Sequence, residues 1–161
     1  MNAEASALLA RLGLEPLPIE GGFFRRTWTG PASSPGGRST GTAIYFLMTP
    51  DLDGFSALHR LDTDEIWHWH AGDAVEHVQL GSTATVLRLG GDVLAGEMPQ
   101  LLVPAGVWQG ARLAAGGARG WALFSCTMAP GWADDAAEYG TREAMRAAFP
   151  SAAAWVDALT R

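Results

Sequence analysis

The stretch SALHRLDTDEIWHWHAGD, residues 56–73, carries three of the chain's four histidines together with four acidic residues. Runs rich in apolar and aromatic residues flank the turn-forming residues 62–64, which predicts short β-strands at 55–61 and 65–70. We expect these two strands to pair as a hairpin across the turn. Three of the four histidines and Glu65 therefore fall on one pair of strands.

Side-chain alternation predicts which residues of the second strand share a face. Glu65, Trp67 and Trp69 lie on one face, whereas His68 and His70 lie on the other. If the Glu65 face points into a barrel, Trp67 and Trp69 are candidate ligand-binding residues, with core packing as the alternative. A bulge would turn His68 toward the interior, so His68 is a further ligand-binding candidate; otherwise it faces outward.

His59 and Glu65 are the candidate catalytic residues. His59 shares a face of its strand with Leu61, and if that face also points inward, an imidazole and a carboxylate converge in an apolar interior. A carboxylate beside an imidazole fixes the imidazole tautomer, and apolar surroundings raise the pKa of a carboxyl group. Such a pair could abstract a proton next to a carbonyl, as an isomerase or epimerase requires. The alternative is a buried pair that only holds two strands together.

Two further side chains are candidates for ligand binding. Phe46 could line a pocket or fill the core, like the tryptophans. Arg25 could meet an anionic ligand, or it could be a solvated arginine on an edge strand. Cys126, the one cysteine, lies in an apolar run and is interpreted as an inert buried thiol.

The rest of the chain alternates short β-branched and aromatic runs with Gly, Pro, Asp and Ser, which is typical of a β-sandwich or barrel. Helical spacing predicts a helix over residues 3–12 and short C-terminal helices over 141–149 and 151–159. No linker or repeat divides residues 1–161, so we predict a single domain. The predicted strands are 23–29, 42–49, 55–61, 65–70, 74–80, 83–89, 100–103, 108–113 and 119–128.

Composition excludes several classes of partner. The net charge is −6, and all 11 basic residues are scattered arginines, so no basic stripe for nucleic acid is present. The absence of lysine removes Schiff-base chemistry. No apolar run reaches the roughly 18 residues of a membrane helix, and no basic region precedes the apolar N-terminal stretch. We therefore predict a cytoplasmic protein with a small-molecule ligand, without a nucleic-acid or membrane partner.

Two motifs in the chain are similar to those of the cupins. His59, Glu65 and Gly72 match the spacing of the first cupin motif, with six residues between Glu65 and Gly72. Residues 104–109, PAGVWQ, match the second motif, Pro-x-Gly-x-x-His, except at the last position. The resemblance implies an all-β, cupin-type double-stranded β-helix, a jelly-roll barrel.

Two departures from the cupin motifs bear on a metal cofactor. Leu61 and Gln109 stand where a metal-binding cupin carries histidines. What the resemblance leaves as metal ligands is His59, Glu65 and Gln109, and two such donors with an amide oxygen are a poor set for zinc or iron. We therefore expect no firmly held cofactor and at most a weakly bound divalent metal. Gln109 is also a candidate for ligand binding.

A closer resemblance covers almost the whole chain. Several segments are similar to signatures of the fifth cupin subfamily (cupin-5), a family catalogued as a domain of unknown function: residues 20–25, 42–47, 59–61, 64–68, 104–109 and 129–132. The resemblance implies a homodimer similar in shape to the dTDP-sugar 3,5-epimerases. Strand 23–29 is the one we expect partners to exchange. Arg26 stands where the resemblance leads us to expect a glutamate.

Three functions remain open on the sequence. The first is an isomerase-, epimerase- or lyase-like enzyme that acts on a small molecule through His59 and Glu65 without a tightly held metal. The second is a metal-dependent cupin enzyme of the oxygenase type, with Gln109 as a third ligand. The third is a ligand-binding barrel that does no catalysis. Metal content separates the second from the others, and turnover separates the first from the third.

Overall fold

A computed structural model describes residues 1–51 and 54–161. The chain is mostly β, with one N-terminal helix and two short C-terminal helices in the described part. Its elements in chain order are α1 Ala3–Leu12, β1 Glu15–Pro16, β2 Phe23–Thr29, β3 Thr42–Met48, β4 Phe55–Leu61, β5 Glu65–Gly72, β6 Val75–Leu80, β7 Ala84–Leu89, β8 Gln100–Val103, β9 Trp108–Leu113, β10 Ala122–Met128, β11 Ala137–Tyr139, α2 Arg142–Ala148 and α3 Ala153–Ala158.

The described strands form two antiparallel sheets that face each other. One sheet has the order β1-β2-β3-β10-β5-β8, and the other has the order β11-β4-β9-β6-β7. Apolar side chains from the two inner faces form the main core, in which Phe46, Trp67 and Phe124 are almost completely buried. The ring of Trp67 meets those of Phe46 and Phe124 edge-on, at centroid distances of 5.7 Å and 5.5 Å. The predicted all-β barrel is confirmed.

The hairpin predicted across residues 62–64 is wrong. β4 pairs with β9 and β11 in one sheet, and β5 pairs with β10 and β8 in the other. Both edges of each strand are therefore taken by strands from elsewhere in the chain, and the turn crosses between the sheets. It is held there by Asp64, whose Oδ1 accepts the Ala105 N–H at 2.8 Å. As a result, His59 and Glu65 project from facing sheets.

Two very short strands, β1 and β11, are absent from the sequence prediction because two or three residues carry no periodic pattern. The strand predicted from residue 119 begins at Ala122 instead. The carboxylate of Asp73 accepts the backbone N–H groups of Arg119 and Gly120, at 3.0 Å and 2.6 Å, and this holds those residues in a turn.

The helices follow their capping signals. Asn2 Oδ1 accepts the Ala5 N–H at the start of α1, and Gly13 ends that helix in the left-handed conformation. Thr141 caps α2 as predicted. The helix predicted over 151–159 is a 3₁₀ turn at Pro150–Ala152 followed by α3. Within 1–51 and 54–161, none of the helices has the length and apolar character that a membrane crossing requires.

Candidate functional site

A cavity of about 160 Å³ lies between the two sheets. Phe46, Leu61, His59, Glu65 and other buried residues form its inner part. The remaining lining residues are partly or fully exposed and form its rim: Leu17, Glu20, Phe24, Arg26, Ile44, Trp132 and Tyr139. Most of the lining is apolar, so the buried side chains of His59 and Glu65 lie in surroundings of low dielectric constant.

The geometry around His59 determines which ring nitrogen faces a ligand. His59 Nδ1 lies 2.7 Å from the carbonyl oxygen of Ala57. A carbonyl only accepts, so Nδ1 carries the hydrogen in the neutral ring, and Nε2 is left as the acceptor. Nε2 has no hydrogen-bond partner among the residues that the structure describes. The expectation that Glu65 sets this tautomer is wrong, because the main chain of the same strand does so.

Glu65 is a buried carboxyl group on the opposite wall. Its Oε2 accepts hydrogen bonds from Trp67 Nε1 at 2.9 Å and from Gln109 Nε2 at 2.7 Å. Burial raises the pKa of Glu65, and the nearby carboxylate of Glu20 raises it further; His59 and the two hydrogen bonds act in the opposite direction. Oε1 makes no hydrogen bond within the described part of the chain. It is therefore the oxygen on which a proton can be held or released.

Behind Glu65 lies a buried polar network. Gln109 Oε1 accepts from Trp67 Nε1 at 3.1 Å and from His77 Nε2 at 3.0 Å. His77 is completely buried, and its Nδ1 has no hydrogen-bond partner among the residues described by the structure. Burial lowers the pKa of His77 to about 4, so the ring is neutral near pH 7. Since Gln109 is bonded to Glu65 as well, these side chains fix the orientation of the carboxyl group.

Two lining residues, Glu20 and Tyr139, were not among the predicted site residues. Glu20 Oε1 accepts a hydrogen bond from Ser56 Oγ at 2.7 Å. The Tyr139 ring lies 6.0 Å from the His59 ring, and burial, with the charges of Glu20 and Glu65, raises the pKa of Tyr139 to about 12. Glu20 falls in a segment that carries the family resemblance, which could have drawn attention to it. Tyr139 lies on the three-residue strand β11, which leaves no signal in the sequence.

The predicted ligand-binding residues separate into three groups. Phe46 lines the cavity. Trp67 and Gln109 are fully buried behind its wall, where each makes hydrogen bonds to the network around Glu65. Arg25, His68 and Trp69 lie away from the cavity.

Strand alternation explains where Arg25 and His68 lie, and position along the strand explains where Trp69 lies. The Arg25 guanidinium lies 5.9 Å from the Tyr45 ring on the outer face, whereas the next residue, Arg26, lines the cavity. His68 is also on the outer face, with Nε2 at 3.1 Å from Thr127 Oγ1. Trp69 packs against the core further along β5, and its Nε1 donates to a backbone carbonyl. Arg26 is therefore the arginine positioned to meet a ligand.

The donor set does not fit the metal site of a metal-binding cupin. His59 and Glu65 line the cavity, but Leu61 is apolar, and the amide oxygen of Gln109 already accepts two hydrogen bonds. Within residues 1–51 and 54–161, no group of three or more His, Cys, Asp or Glu side chains is arranged to hold a metal ion. The expectation of at most a weakly bound divalent metal stays a prediction.

Sequence comparison identifies the family. The profile of Cupin_5, described as "Cupin superfamily (DUF985)", matches residues 6–139. The chain belongs to the Cupin_5 family. No curated protein matches this Cupin_5 chain.

Solved structures agree with the family assignment. A crystal structure of a Shewanella oneidensis protein is similar with a TM-score of 0.88 and 34% identity, covering 100% of this chain and 98% of that one. A hypothetical protein from Leishmania major has a TM-score of 0.87 and 30% identity, with 99% of each chain covered. Oxalate decarboxylase from Bacillus subtilis has a TM-score of 0.55 at 13% identity, covering 91% of this chain and 37% of its own. At that identity, the likeness to the decarboxylase indicates the cupin fold alone.

Proposed function

We propose that this Cupin_5 protein is an isomerase- or epimerase-like enzyme that moves a proton on a small molecule, with a lyase as the closest variant of the same chemistry. The proposal depends on the hydrogen bonding and burial of His59 and Glu65, which lie on facing walls of the cavity. In the neutral ring of His59, Nε2 is the nitrogen without a hydrogen, because the Ala57 carbonyl accepts the Nδ1 hydrogen. Glu65 is a carboxyl group whose pKa is raised by burial.

These two states assign a role to each residue. His59 Nε2 takes a proton from the carbon next to a carbonyl group of the substrate, and Glu65 donates through Oε1 to the carbonyl oxygen, giving an enol. If the carbon that loses the proton carries a hydroxyl group, the enol is an enediol: His59 returns its proton to the former carbonyl carbon, the other hydroxyl gives its proton to Glu65 and becomes the new carbonyl, and an isomer results. An epimer results when a second donor protonates the same carbon on its other face, the enol hydroxyl returns its proton to Glu65, and His59 gives its proton to solvent. The Tyr139 hydroxyl, whose pKa is raised to about 12, stays protonated and is a second donor beside His59.

The other two functions have less support from the site. A metal-dependent oxygenase needs a ligand at the position of Gln109, whose amide oxygen already accepts hydrogen bonds from Trp67 and His77. A barrel that only binds a ligand does not require two buried titratable groups on facing walls, since an unpaired buried polar group costs about 1–3 kcal/mol.

Hydrogen–deuterium exchange at carbon tests the proposal, because it detects removal of the proton whatever product is formed. The protein is incubated in D₂O with small hydroxy acids, oxo acids, amino acids and sugars, and loss of each C–H signal is followed by proton NMR. His59→Gln and Glu65→Gln should each slow exchange by about 10²–10⁴, the usual contribution of a general acid or base. His70→Gln and Glu138→Gln are matched controls, because His70 and Glu138 are exposed and lie away from the cavity.

Exchange at one carbon that both cavity variants abolish and both control variants retain would support the proposal. Exchange that survives in His59→Gln and Glu65→Gln would contradict it. Binding without exchange in any of these compound classes would also contradict it and would favour the non-catalytic barrel.

A further inference from the structure

Arg26 is a cation at the rim of the cavity. Its side chain lines the cavity from β2, opposite Ile44 on β3. The chain has no lysine, and Arg26 is the one arginine among the described lining residues. Many other arginines are paired with carboxylates, as Arg38 is with Asp62, but the Arg26 guanidinium makes no hydrogen bond or ion pair within residues 1–51 and 54–161.

A hydroxyl group lies on the same wall as Arg26. Thr42 is buried on the inner face of β3, two residues from Ile44. Its Oγ1 accepts the backbone N–H of Trp132 at 3.0 Å, and its hydroxyl hydrogen has no acceptor within residues 1–51 and 54–161. A guanidinium and a hydroxyl donor therefore face one region of the cavity, and a carboxylate is the ligand group that accepts from both.

The rim also carries an acceptor. Glu20 Oε1 is bonded to Ser56, and Oε2 makes no hydrogen bond within the described residues. A ligand with a carboxylate alone would meet the negative charge of Glu20 without compensation. A ligand that also carries a hydroxyl or ammonium group would satisfy Glu20 and Arg26 together.

The size of the cavity limits the ligand. A cavity of about 150 Å³ holds a molecule of benzene size, and the cavity here is about 160 Å³. The part of the ligand that lies inside therefore has roughly six non-hydrogen atoms by the same comparison.

We propose that the ligand of this cavity is a small organic acid with a hydrogen-bond donor next to its carboxylate. Arg26 and Thr42 bind the carboxylate, and Glu20 accepts from the neighbouring hydroxyl or ammonium group. This substrate class deepens the proposed function and rests on it. Pairing with Arg26 would also offset the charge of the carboxylate, which otherwise opposes removal of a proton from the adjacent carbon by His59 Nε2.

A titration followed by protein NMR tests this selectivity, and it needs no turnover. Lactate, alanine and propane-1,2-diol are added to the full chain up to tens of millimolar. The diol is close in size to the other two probes but lacks the carboxylate. Lactate or alanine should bind at least about tenfold more tightly than the diol, which is the lower end expected for a charge-assisted hydrogen bond. Lactate and alanine together distinguish a hydroxyl from an ammonium group at Glu20.

The variants locate the source of the selectivity. Arg26→Gln should abolish the preference for the carboxylate, and Arg25→Gln, on the outer face of the same strand, should retain it. Glu138→Gln should also retain it, because Glu138 is exposed and lies outside the cavity. Equal binding of acid and diol, no binding of any probe, or an unchanged preference in Arg26→Gln would overturn the inference. The proposed function would survive any of these results if the protein still catalysed C–H exchange of an uncharged compound in D₂O.

Discussion

Replacing Gln109 by Leu tests whether the buried network behind the cavity determines the stability of this barrel. Gln109 is completely buried and its amide makes three hydrogen bonds, to Glu65, Trp67 and His77. Leucine keeps much of the volume and removes all three. Trp67 Nε1 retains its bond to Glu65 Oε2 at 2.9 Å. His77 Nε2 loses its hydrogen-bond partner, and His77 Nδ1 already has none in the described part of the chain.

The expected loss of stability follows from the unpaired N–H of His77. A buried polar group left without its partner costs about 1–3 kcal/mol, so we expect Gln109→Leu to lower the free energy of unfolding by about 2 kcal/mol. Urea denaturation followed by tryptophan fluorescence measures it. Gln79→Leu is the matched control, because Gln79 lies opposite Gln109 on β6 and makes one exposed hydrogen bond, to the Leu102 carbonyl. It should cost less than about 1 kcal/mol.

A double variant identifies the origin of the loss. If the loss comes from the unpaired His77 Nε2, His77→Leu should lower the free energy of unfolding less in the Gln109→Leu protein than in the wild type. The coupling energy should be on the order of 1 kcal/mol. Strictly additive effects, or a Gln109→Leu protein as stable as the Gln79→Leu control, would refute the reasoning. The network would then contribute nothing measurable to stability.

Three further predictions concern pH, assembly and metal. Because burial lowers the pKa of His77 from 6.5 to about 4, the unfolded chain binds a proton in this range that the folded chain does not. As pH falls from 6.5 to 4, the free energy of unfolding of the wild type should therefore fall by up to about 3 kcal/mol relative to that of His77→Gln, as measured by urea denaturation. Glu65 has the opposite effect on the pH dependence, but that effect is common to both proteins. A parallel pH dependence of the two proteins would contradict this. Light scattering at micromolar concentration should give a homodimer mass, because beyond Phe24 one edge of β2 has no strand partner among the described residues; a clean monomer would be evidence against it. Elemental analysis of protein purified without added metal should find less than one equivalent, and a full equivalent that His59→Ala removes would show that the metal prediction is wrong.

Local rules predicted much of the fold. Alternation along residues 65–70 correctly placed Glu65 and Trp67 on one face of the strand and His68 on the other, because alternation is a property of any extended chain. Caps at Thr141 and Gly13 marked helix ends for a similar reason, since a cap satisfies backbone groups within a few residues.

Strand pairing was beyond local reasoning. A three-residue turn between two strands is compatible with a hairpin and with a crossing between sheets. The crossing forms here because β9 and β11 pair with β4, and β10 and β8 pair with β5. The same kind of long-range pairing places Tyr139 opposite His59 in the site. Tyr139 lies on a strand that is too short to show a sequence pattern.

The sequence by itself determined the family, the barrel and the two residues at the centre of the candidate site, because motif spacing and alternation are encoded over a few neighbouring positions. Only the tertiary structure decided that His59 and Glu65 stand on opposite walls, and that Arg26 rather than Arg25 lines the cavity. Alternation divides a strand into two faces but does not say which face is inside. Which face is inside depends on the sheet that the strand joins and on the sheet packed against it.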